Sequence, residues 1–187
     1  MRLLGFLALP LTLSCMNAGA ALAPLTVSGN QVLIGGQQGS LAGIGLFWSN
    51  SGWGGEKYYT PQTLAWLKTD WKASVVRIPM GVDEPNGYLG NASTPADPTN
   101  KDRVFAAIDA AIANDLYVIV DWHTHHAEDF QPHAIAFFEA VANKYGTTPN
   151  LIYEIYNEPL KATDWSTTVK PRNLSWAPKS CVIHWCD

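Results

Sequence analysis

Residues 116–122, Leu116-Tyr117-Val118-Ile119-Val120-Asp121-Trp122, form a β-branched apolar run that predicts a strand buried on both faces. Ser74-Val75-Val76-Arg77-Ile78-Pro79-Met80 reads the same way, and Leu151 to Tyr156 supplies another strand downstream. Between the first two, a helix is predicted from Asn100, with Val104, Ile108, Ala111 and Ile112 on its inner stripe. A further helix spans about Gln131 to Tyr145, where Ile135, Phe138, Val141 and Ala142 share a face and Gly146 provides the stop. Upstream, Leu41 to Trp48 reads as a strand, and Thr60-Pro61 caps a helix whose Leu64, Leu67 and Trp71 fall at i, i+3 and i+7. A hairpin formed by Leu25 to Val27 and Gln31 to Ile34 precedes this repeat, and Gly81 to Thr99 is a long loop.

Strand, helix, strand, repeated with near-continuous apolar strands, means parallel strands joined by helical crossovers. A Rossmann-type sheet needs a glycine-rich phosphate turn after its first strand, but Gly52-Trp53-Gly54-Gly55 lies in an aromatic loop and opens no immediate helix. The better fit is an α/β fold of the (β/α)8 TIM-barrel type, with about the first four βα units present in a fold that usually takes about 250 residues. Half a barrel leaves its first and fourth strands as open edges.

The chain has 187 residues, 47% of them hydrophobic, which suits one domain with a real core. Twelve Lys and Arg against 16 Asp and Glu give a formal net charge of −4, and no basic block exists to hold nucleic acid. Met1-Arg2, the apolar run Leu3 to Leu13 and Ala18-Gly19-Ala20 read as a signal peptide over residues 1–20, so the expected product is secreted and free of the membrane after cleavage. Residues 21–170 are expected to form the N-terminal half of such a barrel. Residues 171–187 carry no helical period and are expected to be an out-of-frame tail; the other reading is a short form in which Cys181 and Cys186 close a loop. Asn91-Ala92-Ser93 and Asn173-Leu174-Ser175 are glycosylation sequons, usable in a eukaryotic host.

In such barrels chemistry sits at the C-terminal strand ends. Those ends carry Trp48, Arg77 to Met80, Asp121-Trp122-His123 and Asn157-Glu158-Pro159. Alternation places Tyr117, Ile119, Asp121 and His123 on one face, so Asp121 is positioned to orient the His123 ring. Glu158 is the candidate general acid, its pKa expected to be raised by partial burial beside aromatic surface, with Glu154 as a second carboxylate of the same strand parity. Arg77, the one positive charge inside an apolar strand, requires a carboxylate partner such as Glu158. Trp48 and Trp122 read as sugar-stacking platforms. His123 and His125, near Glu128 and Asp129, raise a zinc reading, against which stands the lack of comparable ligands on the other strands apart from Glu158.

Taken in order, Leu46-Phe47-Trp48-Ser49-Asn50 with Gly52-Trp53-Gly54-Gly55-Glu56-Lys57, Val75-Val76-Arg77, Asp121-Trp122-His123 and Tyr153-Glu154-Ile155-Tyr156-Asn157-Glu158-Pro159-Leu160 resemble glycoside hydrolase family 5, most of all its secreted endo-β-1,4-glucanases. The likeness covers roughly residues 24–169, and departs from the family where Ile44-Gly45 stands in place of the frequent Asn-Ser. It implies a retaining hydrolase of internal β-1,4-glucosidic bonds in cellulose or a related β-glucan. Glu158 would then be the acid/base, with Asn157 on the sugar 2-hydroxyl. Arg77 and His123 would support the carboxylates, Trp48 and Trp122 would line the cleft, and no metal or other cofactor is required. The family's nucleophile, a Glu at the end of the seventh strand, is not among these residues, so the chain alone is expected to be inactive. A secreted, non-catalytic carbohydrate-binding fragment is the alternative.

Overall fold

The computed structural model describes residues 22–160 and 182–183. The expected signal peptide and most of the expected tail lie outside them. Strands β1 (Leu25–Ser28), β2 (Gln31–Ile34) and β3 (Gln37–Gln38) form a small antiparallel sheet, one strand more than the predicted hairpin. The alternating units follow: β4 (Gly43–Gly45), α1 (Pro61–Thr69), β5 (Val75–Gly81), α2 (Thr99–Ala113), β6 (Tyr117–His123), α3 (Gln131–Tyr145) and β7 (Leu151–Glu154). The last described element, β8 (Val182–Ile183), pairs in parallel with β7, so two residues of the tail cover the edge expected to stay open.

Strand order in the second sheet is β4-β5-β6-β7-β8, and all four pairings are parallel. Neighbours in sequence are neighbours in space, with no reversal of order at which a dinucleotide crevice would open. The helices cover the outer face. There Val76, Ile78, Met80, Val118, Val120, Trp122, Leu151 and Tyr153 pack against Leu64, Leu67, Val104, Ile108, Phe137, Phe138 and Val141. Burying each such side chain fully stabilises the fold by about 1.5–3 kcal/mol. On the inner face, Tyr117 and Ile152 meet Leu25 of the N-terminal hairpin, and the Tyr117 hydroxyl donates to the Ala23 carbonyl at 2.6 Å. The hairpin therefore closes the end of the sheet opposite the site.

Local chemistry explains the boundaries. Thr60 caps α1, its hydroxyl accepting from Thr63 N at 3.2 Å, and Pro61 follows at the first helical position. That helix stops at Thr69, and Lys72 turns the chain at φ 56°. Trp71 is consequently off the core stripe predicted for it, 53% exposed and edge-to-face with Trp66 at 5.3 Å. The predicted strand 41–48 shrinks to β4. Leu46 N still donates to Arg77 O at 2.9 Å, but Phe47 and Trp48 then leave the sheet. At Gly43 the sheet tolerates no side chain, since a Cβ would stand 1.7 Å from Val75 O.

Candidate active site

The pleat decides what faces the inner side of the sheet. Register sets Pro79 beside Asp121 and Asp121 beside Glu154, with Gly81 beside His123 one layer further on. Arg77, one layer below, reaches up into this row. Its Nε donates to Glu154 Oε2 at 2.7 Å, and one amino group donates to Glu154 Oε1 at 2.8 Å and to Asn157 Oδ1 at 2.9 Å. The same amino group lies 2.8 Å from Asp121 Oδ2, which also meets His123 Nδ1 at 2.5 Å. Asp121, His123, Glu154 and Asn157 are all buried, so these contacts form in a medium where they are strong and where loss of one partner is costly.

Burial dominates the electrostatics. It pushes the Asp121 carboxyl up to about 8, with the Arg77 charge pulling the other way, and Asp121 Oδ1 is buried without a hydrogen-bond partner among the described residues. The His123 imidazole is driven down to about 3 by burial and further by Arg77. At neutral pH it is therefore uncharged, and the Asp121–His123 hydrogen bond fixes its ring. Glu154 is raised by burial and held back by its bonds to Arg77. The expectation that Asp121 orients His123 corresponds to this contact. Arg77 donates to Glu154 and Asn157 and is ion-paired with Asp121, and Glu158 is not its hydrogen-bonded partner.

Glu158 follows this cluster and differs from it. Its side chain is 78% exposed, so the burial expected for it is not found, and it lies 3.8 Å from His125 Nδ1. Its backbone stands at φ 45°, immediately before Pro159. A non-glycine residue in the left-handed region costs of order 1–3 kcal/mol, and such strain gathers at functional sites.

The aromatic expectations divide. Trp48 is partly buried, its ring stacked on Trp53 at 5.2 Å and 16° and edge-on to His123 at 4.1 Å. Trp122 has no exposed surface; it packs among Tyr88 and Phe137 on the helix-facing side, which corrects the expectation that it lines a cleft. The strand's alternation already required this, because Trp122 sits between Asp121 and His123 and must face away from both. Trp53, not singled out as a strand-end residue, takes the place beside Trp48. His125 and His126 point to Glu158 and Glu128, and the described residues contain no group of three or more His, Cys, Asp or Glu arranged to hold a metal ion.

A sequential parallel sheet with helices on its outer face and a charged cluster at its C-terminal strand ends defines the opening units of a (β/α)8 barrel. The profile of the family described as cellulase (glycosyl hydrolase family 5) matches residues 28–178. Endoglucanase Z of Dickeya dadantii is 54% identical over 164 residues, 86% of this chain and 37% of that protein. Among solved structures, the catalytic domain of Thermobifida fusca endoglucanase Cel5A superposes with a TM-score of 0.68 at 30% identity, covering 84% of this chain and 48% of that one. A Cytophaga hutchinsonii structure gives 0.70 at 44% identity, covering 80% and 46%. The chain belongs to glycosyl hydrolase family 5, the cellulases. It spans 37% of the Dickeya enzyme's length and just under half of each solved chain.

Proposed function

We propose that this chain carries the acid/base half of a retaining endo-β-1,4-glucanase, with cellulose or a related β-glucan as substrate. The observation that supports it most is the division of labour among the strand-end carboxyls. Asp121 and Glu154 are buried and committed to Arg77 and His123, whereas Glu158, next in line, is exposed. A general acid must reach the glycosidic oxygen, and Glu158 is the cluster's carboxyl with that access.

In the proposed reaction Glu158 protonates the leaving glycosidic oxygen while a second carboxylate, about 5–5.5 Å from it, attacks the anomeric carbon and forms a glycosyl–enzyme ester. Water then attacks that carbon with Glu158 taking its proton, and the ester bond breaks to release sugar with retained configuration. Asn157 is buried and held by Arg77, which suits it to bind the 2-hydroxyl. Trp48 offers a face to the pyranose ring. The second carboxylate is assigned to the seventh strand of the barrel, beyond the described units, so the 187 residues by themselves are proposed to bind glucan without hydrolysing it. We also infer export through the N-terminal segment. Among the described residues no helix is long and apolar enough to cross a membrane.

A solved variant of Thermobifida fusca Cel5A is in complex with cellotetraose, which makes that oligosaccharide the natural probe. The test pairs two proteins: the chain as it stands, titrated with cellotetraose, and a chimera joining its residues 24–160 to the rest of the Dickeya catalytic domain, assayed on soluble cellulose. Saturable binding by the first and reducing-sugar release by the second are expected. A correctly folded chimera without activity would refute the proposal. Binding by the chain combined with an inactive chimera would favour the carbohydrate-binding alternative.

A further inference from the structure

Ser49, Asn50 and Ser51 carry the chain from Trp48 towards Trp53, and most of their polar groups, though not the buried Asn50 Oδ1, have hydrogen-bond partners among the described residues. Arg103, in the second turn of α2, lays its guanidinium along this strap. One amino group donates to the Ser49 carbonyl and, at 2.7 Å, to Asn100 Oδ1. The other donates to Ser51 Oγ at 3.1 Å and to Thr99 Oγ1 at 3.4 Å. Asp97 holds the same hydroxyl: its carboxylate accepts from Ser51 Oγ and stands 3.8 Å from Arg103. Asn86 Nδ2 donates to the Ser51 carbonyl and Asn50 Nδ2 to the Pro85 carbonyl, each at 3.0 Å, while Gly81 N donates to Ser49 Oγ at 3.0 Å. Ser49 and Asn50 are fully buried, and Gly81 has no room for a Cβ, which would meet Asn50 Oδ1 at 1.7 Å.

The strap ends in the aromatic pair. Trp48 stacks on Trp53 and makes a T-shaped contact with the His123 ring, so the direction in which it presents its plane depends on where residues 49–53 run. We infer that Arg103 is a positioning residue for sugar binding: by fixing the Ser49–Ser51 strap it presets the Trp48–Trp53 pair against which a β-linked glucose ring packs. This rests on the glucan reading above. A platform already ordered in the free protein avoids the cost of immobilising it on binding, about 0.5–1.5 kcal/mol per side chain. The forked guanidinium suits the task, because it meets the separate acceptors on Ser49 and Ser51 at once, whereas an ammonium is a single point of charge.

The test uses the whole chain and intrinsic tryptophan fluorescence titration with cellotetraose, for the unsubstituted protein, R103M, R103K, S51A, W48A and W48A/R103M, with thermal unfolding recorded alongside. R103M is expected to weaken binding about 2- to 12-fold, the range that preordering of one side chain supports. R103K should recover part of the loss, and S51A should shift affinity in the same direction as R103M. In the W48A background R103M should cause a much smaller loss, because most of its effect passes through Trp48; a merely structural role would lower affinity there by the same factor. Unchanged affinity in R103M, or an undiminished loss in the W48A background, overturns the inference. Absence of binding by the unsubstituted protein overturns the glucan reading and this inference with it. Should R103M not fold, S51A against W48A/S51A decides between the same outcomes.

Discussion

Replacing Arg77 with Met probes the buried cluster most sharply. The substitution keeps an unbranched stem in the sheet but removes the cation from between Glu154 and Asp121, whose side chains are 4% and 0% exposed. Glu154 then faces two choices: remain ionised and unpaired in a low-dielectric site, or take up a proton. Protonation is the cheaper, and each pH unit between its ordinary value of 4.5 and the assay pH costs about 1.4 kcal/mol. At pH 7 the loss is therefore at most about 3–4 kcal/mol, reduced by what burial already costs Glu154 in the unsubstituted protein, and at pH 5 it falls to about 1 kcal/mol or less. The sign follows from proton counting. A carboxyl whose folded-state pKa is raised binds more protons in the folded than in the unfolded state, so its penalty grows as pH rises above the unfolded value. Urea unfolding followed by tryptophan fluorescence at both pH values measures this, with R77K, which keeps the charge and loses the fork, as an intermediate variant that guards against outright unfolding. An R77M penalty of equal size at pH 5 and pH 7, or one below about 1 kcal/mol at pH 7, would show that Glu154 does not depend on the Arg77 charge.

Two further predictions concern the same elements. Burial holds the proton on Asp121 up to about 8 while the unfolded chain releases it near 3.8, and His123 resists protonation down to about 3 whereas the unfolded chain takes its proton near 6.5. Asp121 therefore costs stability as pH rises towards 8 and His123 costs it as pH falls below 6.5; the unfolding midpoint should decline from pH 6.5 to pH 8, and a midpoint rising across that interval contradicts the assignment. The two strand-end tryptophans should separate cleanly. W122F should lower stability by about 1–2 kcal/mol through the cavity it leaves, with cellotetraose affinity unchanged. W48A should weaken binding on the order of tenfold at little cost in stability, and calorimetric titration with thermal unfolding distinguishes these patterns from their reverse.

Periodicity made much of the fold legible. The apolar runs around 76 and 118 needed helical cover on one side, and the i, i+3, i+4 stripes of α2 and α3 supplied it, so order and parallel sense followed from the pattern. What periodicity could not register was where short elements end. Gly43 to Gly45 form the whole of β4 because pairing with β5 stops as the chain lifts away to place Trp48, and Trp71 misses its stripe because α1 closes two residues earlier. At the site, residue parity located Asp121 and His123 correctly on one face yet was not applied to Trp122, where the same alternation gave the answer. Arg77 announced its need for a carboxylate, but choosing Glu154 over Glu158 required the register that brings Glu154 level with Asp121. The Arg103 strap joins residues 49–51 to 97–103, a separation at which no local pattern carries a signal.

The proposed acid/base role of Glu158 is tested by initial rates on soluble cellulose for the Dickeya chimera and its E158Q form, with cellotetraose affinity measured on both. A fall in kcat of about 10²–10⁴-fold with affinity preserved is expected, since a carboxamide can still hydrogen-bond the sugar but has no proton to give. An E158Q chimera that hydrolyses cellulose at the unsubstituted rate would contradict it.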